Sequence, residues 1–258
     1  MTSQTDALQH DLATWRQEAG RPAAALALLQ TAERLVTDDP LSVSTWRVFL
    51  DVTRSPDYLQ ALPDDAARRR WADTAIAAAY RTGFTLETLL DQRVAEHPDR
   101  IWLRKSSLEG GASWTYGRVR DKARAYAAAF LGATATPRVV LLTPNRPRGA
   151  FCDLACLLHG ILVSPLSPHT DAETLAWICD TLDINVIVTG GEDTATLAAS
   201  VRAGSHGELI HFCLEDAPPA DSAARSLEEF CASLTRDDID ATLAAHPRFE
   251  LDDVATVM

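Results

Sequence analysis

Hydrophobic positions follow two different periods along this chain. Up to about residue 80 they recur every three to four residues, in segments that stop at Gly20-Arg21-Pro22, Asp38-Asp39-Pro40 and Pro63-Asp64-Asp65. Such spacing gives each helix one apolar stripe, and the stop signals predict four helices over 6–19, 23–36, 43–52 and 63–80. Asp6 caps the first and Pro22 sits in the opening turn of the second. Trp15, Leu26, Leu29, Leu35, Trp46 and Phe49 supply the apolar contacts. No fixed-period self-similarity relates the helices, so a repeat array is not indicated.

After Arg81-Thr82-Gly83-Phe84 the texture changes to short apolar runs separated by helical segments. Thr85 caps a helix to about residue 96, and strands over 101–105 and 112–115 form a hairpin around Glu109-Gly110-Gly111. A long helix over 116–131 follows. Val139-Val140-Leu141-Leu142-Thr143 is then a strand, 149–159 a buried helix and Ile161-Leu162-Val163 a strand. The alternation continues with a helix over 171–182, the strand Val186-Ile187-Val188-Thr189, a helix over 194–203 and a strand over 209–214. Ala217-Pro218-Pro219-Ala220 reads as a surface loop, and the acidic stretch through Asp237, Asp238 and Asp240 as a solvated helix. Strands with intervening helices imply an α/β fold: a layered, mostly parallel sheet with flanking helices, preceded by a small all-α segment. The expected boundary separates a helical extension, 1–83, from an α/β part, 84–258.

The last residues, Leu251-Asp252-Asp253-Val254-Ala255-Thr256-Val257-Met258, read as an acidic turn feeding a buried strand. An open sheet edge is therefore expected, with self-association as its consequence. The tryptophans at 102, 114 and 177 are expected in the core.

The chain has 258 residues with 47% hydrophobic, enough for a substantial core, and a net charge of −12. That charge removes the general attraction to a phosphate backbone, so nucleic acid is not an expected partner. No apolar run approaches the length of a membrane span, and five scattered cysteines suit reduced thiols, so a soluble cytoplasmic protein is expected. Cys152, Cys156 and His159 share one helix face at metal-ligand spacing, but Phe151, Leu154, Ala155, Leu157 and Leu158 make that helix apolar nearly all round. The two cysteines are read as core, and no metal is expected.

The sequence contains no G-x-G-x-x-G, no G-x-x-x-x-G-K-[ST], no G-x-S-x-G and no H-E-x-x-H, and Gly190-Gly191 punctuates a strand end. Arg146 and Arg148, beside Asn145 at a helix entrance, are the candidate phosphate contacts, through their forked donors and the helix dipole; exposed loop arginines are the alternative.

Several ordered segments carry a resemblance. Phe84-Thr85-Leu86-Glu87-Thr88-Leu89-Leu90 with Glu96-His97-Pro98-Asp99-Arg100, then Trp114-Thr115-Tyr116, then Val139 to Asn145, then Leu157 to Pro168, then Thr174-Leu175-Ala176-Trp177-Ile178, and finally Leu251 to Met258 resemble, in that order, motifs of the adenylate-forming acyl-CoA synthetase superfamily. The likeness is to that superfamily's amino-terminal portion. It implies an enzyme that activates a carboxylic acid, fatty or aromatic, with Mg-ATP to an acyl-adenylate, and passes the acyl group to CoA or a carrier protein.

The superfamily's phosphate loop, adenine-binding strand, ribose-binding aspartate, metal-associated glutamate and mobile domain with its catalytic lysine match no residue of this sequence. The resemblance thus implies a chain truncated before the phosphate loop, inert by itself, with the remainder of the synthetase as partner. ATP, Mg and CoA are cofactors of the full-length parent, and none is expected on this chain. A short non-catalytic binding or scaffold protein built on the same half-fold is the alternative. The helical extension is no standard part of the superfamily; it is either an accessory module that recruits a partner or a cap on the first sheet.

Overall fold

A computed structural model of the chain describes residues 4–18, 21–38, 43–53, 55–82, 85–106, 111–204, 209–216, 218, 223–249 and 253–257. Gly20, Asp39-Pro40, the boundary at Gly83-Phe84, the hairpin turn at Glu109-Gly110, most of the 217–220 loop, and Leu251, Asp252 and Met258 lie outside the described residues. The chain divides into two compact units, residues 1–85 and 86–258.

The first unit is all-helical: α1 (Gln4–Gln17), α2 (Pro22–Asp38), α3 (Val43–Thr53), α4 (Pro56–Ala61) and α5 (Asp65–Thr82). Their apolar stripes meet in one core containing Leu8, Leu12, Trp15, Leu28, Leu29, Trp46, Phe49, Tyr58 and Leu62. Trp15 meets Tyr58 edge-on at 5.2 Å, and the Tyr58 hydroxyl donates to the carbonyl of Ala25 at 2.9 Å, so the buried phenol keeps a partner.

The helix expected over 63–80 is α5, and a short helix that was not expected, α4, precedes it. Ser55 accepts a hydrogen bond from the amide of Tyr58 with Pro56 in the first turn, which starts α4; Asp64 accepts from the amide of Ala67 at 2.7 Å, which starts α5. Leu62, extended at the end of α4, turns its side chain into the core between them.

The second unit opens with α6 (Leu86–Glu96) and the antiparallel hairpin β1 (Ile101–Lys105) and β2 (Ala112–Thr115). Then follow α7 (Tyr116–Ala133), β3 (Arg138–Leu142), α8 (Pro147–Leu158), β4 (Leu162–Leu166), α9 (Ala172–Thr181), β5 (Val186–Thr189), α10 (Glu192–Gly204), β6 (Ile210–Cys213), β7 (Arg225–Ser226), α11 (Leu227–Ala232) and α12 (Arg236–Ala245). Strands β4-β3-β5-β6-β7 form one wholly parallel sheet in that order.

Both faces of the sheet are covered, which is why its strands read as unbroken apolar runs. Val139, Leu141, Val186, Val188 and Phe212 point to a core shared with α7, α8 and α11, while Val140, Leu142 and Ile187 meet α9 and α10 on the other face. Asn185 ties the sheet's entry: its side chain accepts from the amide of Arg138 at 2.8 Å and donates to the carbonyl of Thr136 at 2.9 Å. Gly160, at φ +73, makes the turn from α8 to β4. A side chain there would meet the carbonyl of Pro247 at 2.6 Å, so the segment after α12 passes directly over it.

Two expectations need correction. Trp102 and Trp177 are 38% and 65% exposed rather than buried: Trp102 stacks on Tyr116 at 5.1 Å on the hairpin, and Trp177 lies on the solvent side of α9, whose core contacts come from Leu175 and Cys179. The segment expected to be a buried terminal strand is one parallel bridge, Val163 to Thr256, with the amide of Val257 donating to Val163 and that of Val163 to Ala255, both at 3.1 Å. Val254 is 63% exposed. These residues lie along the outer edge of β4.

Candidate functional site

The strand order places β4 and β5 on opposite sides of β3, and the helices that follow β3 and β5, α8 and α10, cover opposite faces. In such sheets the loops diverge at this point, and ligands sit outside the carboxyl ends of the strands. Thr143-Pro144-Asn145 after β3 and Gly190-Gly191 after β5 form that crest.

Thr143 is wedged between two glycines. A Cβ on Gly149 would lie 2.4 Å from Thr143 Oγ1, and one on Gly190 would lie 3.1 Å from Thr143 Cβ. The amide of Gly190 donates to the carbonyl of Leu142 at 3.1 Å, which closes the crest. Thr194 Oγ1 donates to the carbonyl of Gly191 at 3.0 Å and pins the start of α10.

Arg146 and Arg148 stand here, in the first turn of α8. Arg146 occupies the cap position with no side-chain cap bond, and its Nη1 lies 3.0 Å from Glu215 Oε1. Arg148 gathers three partners: Asp216 Oδ1 at 2.8 Å from Nη2, the carbonyl of Leu214 through Nη1, and Glu228 Oε1 at 3.5 Å from Nε. The structure therefore brings both sequence-identified arginines to the carboxyl end of the sheet and sets each against the acidic loop that follows β6.

Glu228, on α11, continues the network inward. It accepts from the Tyr126 hydroxyl at 2.5 Å and from the ammonium of Lys122. Burial pushes its carboxyl up, but the hydrogen bonds from Lys122 and Tyr126, with the charges of Lys122 and Arg148, outweigh that and hold it below the usual carboxylate value. Burial raises the Tyr126 phenol well above its ordinary value, helped by Cys152 and by Glu228. Glu215, Asp216, Glu228, Lys122 and Tyr126 were not singled out from sequence. The signal was present: an acidic pair directly after a strand faces the carboxyl edge, as does the helix start after β3.

One step from the crest, Thr189 Oγ1 and His211 Nε2 are 2.9 Å apart, both buried, and His211 Nδ1 has no partner among the described residues. Burial first, then the charge of Arg202, lowers the imidazole to about 4, so it is neutral at neutral pH.

Cys152 and Cys156 are wholly buried in the core, as the helix pattern implied, with burial pushing both thiols well up. His159 is buried with them, and burial with the charges of Arg124, Arg248 and His246 lowers it to about 4. Among the described residues no group of three or more histidine, cysteine or acidic side chains can hold a metal ion, and no helix is long and apolar enough to cross a membrane.

Comparison with known proteins shows the family. The family model described as AMP-binding enzyme matches residues 90–258. A Crotonobetaine/carnitine–CoA ligase of Salmonella paratyphi A is 25% identical over 180 residues, covering 68% of this chain and 34% of that protein. Among solved structures, the luciferase-like enzyme of the mealworm Zophobas morio gives a TM-score of 0.50 at 17% identity, over 67% of this chain and 39% of that one. A long-chain-fatty-acid CoA ligase from Rhodopseudomonas palustris gives 0.49 at 20% identity, over 57% and 36%. The chain thus spans about a third of the length of the curated relatives it matches.

Proposed function

Since this chain belongs to the AMP-binding enzyme family, we propose that it is the amino-terminal portion of an acyl-CoA synthetase-like ligase whose full-length form activates a fatty or aromatic carboxylic acid with ATP and Mg, then passes the acyl-adenylate to CoA or a carrier protein. The supporting observation is the family match over 90–258 combined with the parallel sheet that those residues form. In this reading 84–258 is the first part of the AMP-binding domain and 1–83 a helical extension, in a cytoplasmic protein. The partners are the remainder of the synthetase, the acid and CoA or carrier protein. Self-association runs through a sheet edge such as the two-residue β7.

Taken alone, the 258-residue chain is inactive. Activation of a carboxylate on ATP needs fixed donors around the phosphates and a metal site. The sequence holds no Ser/Thr/Gly-rich phosphate loop, and the described residues assemble no metal cluster. In this reading Arg148, whose fork is engaged by Asp216, the Leu214 carbonyl and Glu228, contacts phosphate by exchanging Asp216 for a phosphate oxygen, whereas Arg146 spends one nitrogen on Glu215 and has further donors to offer.

The codons that follow Met258 in the reading frame give the simplest test. A Ser/Thr/Gly-rich stretch ending in Lys-Gly supports the ligase. An immediate stop codon favours a short scaffold protein built on the same half-fold and overturns the reading.

A further inference from the structure

Away from the crest, α6 and α12 both pack on α7, and a cleft of about 640 Å³ opens between the three helices. Its size falls within the range of small-molecule sites. Val94, Ala95 and Ile239 contribute apolar side chains to its lining, which also carries three arginines and three aspartates.

Four of those six charges are already paired. Arg120 Nη2 lies 3.3 Å from Asp121 Oδ1, and Arg124 Nη2 lies 2.6 Å from Asp240 Oδ1. Two remain: Asp91 on the α6 wall and Arg236 on the α12 wall. Both face the cleft, they are not within ion-pair distance of one another, and neither has a hydrogen bond or ion pair among the described residues.

An unspent anion on α6 and an unspent cation on α12, in a lining that also holds apolar side chains, are the complement of a molecule with the opposite pair of charges. We propose that the α6–α7–α12 cleft binds a small zwitterion, one that carries an ammonium group for Asp91, a carboxylate or phosphate for Arg236, and an aliphatic body between them. A simple anion satisfies Arg236 and leaves Asp91 facing it; a simple cation does the reverse. Selectivity for the doubly charged ligand follows from that mismatch. The inference is independent of the ligase reading, because the cleft is formed by residues present in this chain.

Amide chemical shifts of the ¹⁵N-labelled chain, titrated with ω-amino acids from glycine to 8-aminooctanoate and with hexanoate and hexylamine as single-charge controls, test it. One ω-amino acid length is expected to give saturable shifts at Asp91, Ala95, Arg236 and Ile239, with the controls weaker by about tenfold, the usual worth of one charge-assisted hydrogen bond. Asp91→Asn is expected to bring the zwitterion down to the affinity of hexanoate, and Arg236→Gln to that of hexylamine. Unchanged signals from Val139 and Ile187 show that both variants stay folded. Equal affinity for hexanoate or for hexylamine and the zwitterion, saturable shifts elsewhere on the chain, or no saturable shift with any probe overturns the proposal.

Discussion

Arg148 Nη2 and Asp216 Oδ1 are 2.8 Å apart, joining the first turn of α8 to the loop after β6 across 68 residues of sequence. The same guanidinium also reaches the carbonyl of Leu214 and the carboxylate of Glu228, so one side chain holds α8, α11 and the β6 loop together. It is the central tie of the carboxyl end of the sheet.

Arg148→Lys is therefore not a conservative change. A single ammonium cannot serve three acceptors set around a planar fork. The variant is expected to lose about 1–3 kcal/mol of stability, because the hydrogen bonds to the Leu214 carbonyl and Asp216 cannot both be kept. Urea denaturation of wild type and variant measures it. Arg146→Lys, with one partner, is expected to change stability by less than about 1 kcal/mol, the range of a surface ion pair.

Gly149→Ala sets two effects against each other. Alanine favours the helix by about 1 kcal/mol, but its Cβ would sit 2.4 Å from Thr143 Oγ1, and accommodating it costs about 1–3 kcal/mol. The clash wins, so the variant is destabilised. Thr143→Ala removes the obstructing oxygen and is expected to turn Gly149→Ala neutral or stabilising. A double-mutant cycle by denaturation reads the coupling, and strict additivity of the two changes would refute the contact.

Stability is expected to fall as the pH drops below about 6.5, the ordinary histidine value. His211 and His159 are held down to about 4 against an ordinary value of 6.5, so the unfolded chain takes up protons first as the pH drops. Their contribution is complete above about pH 6.5 and is lost progressively down to about pH 4. A shift of this size corresponds to roughly 3 kcal/mol per histidine. His211→Gln, which removes one titrating group, is expected to flatten about half of that decline in unfolding experiments between pH 7.5 and 4.5. An unchanged slope would show that His211 is not the buried neutral group described.

The parallel sheet was legible because burial on both faces forces apolar runs such as Val139–Leu142 and Val186–Thr189, which no surface element would carry. The helix expected over 149–159 runs from Pro147 to Leu158, with Pro147 in its first turn and Gly160 in the turn after it. What escaped is what depends on distant partners. Strand β7 is only Arg225–Ser226, and its pairing with Phe212 and Cys213 leaves no periodic trace. Trp177 reads as core by residue type, yet on α9 the core positions fall to Leu175 and Cys179. Arg146 and Arg148 were found by local context, while the carboxylates that hold them lie far along the chain and became visible only when the strand order brought β6 beside β5.

The proposal that these residues form the frame of an acid-activating ligase and lack its nucleotide site is tested most directly by isothermal titration of the 258-residue chain with Mg-ATP, with pyrophosphate release followed after a fatty or aromatic acid is added. The account predicts no saturable heat and no pyrophosphate. Saturable binding with acid-dependent pyrophosphate release would contradict it.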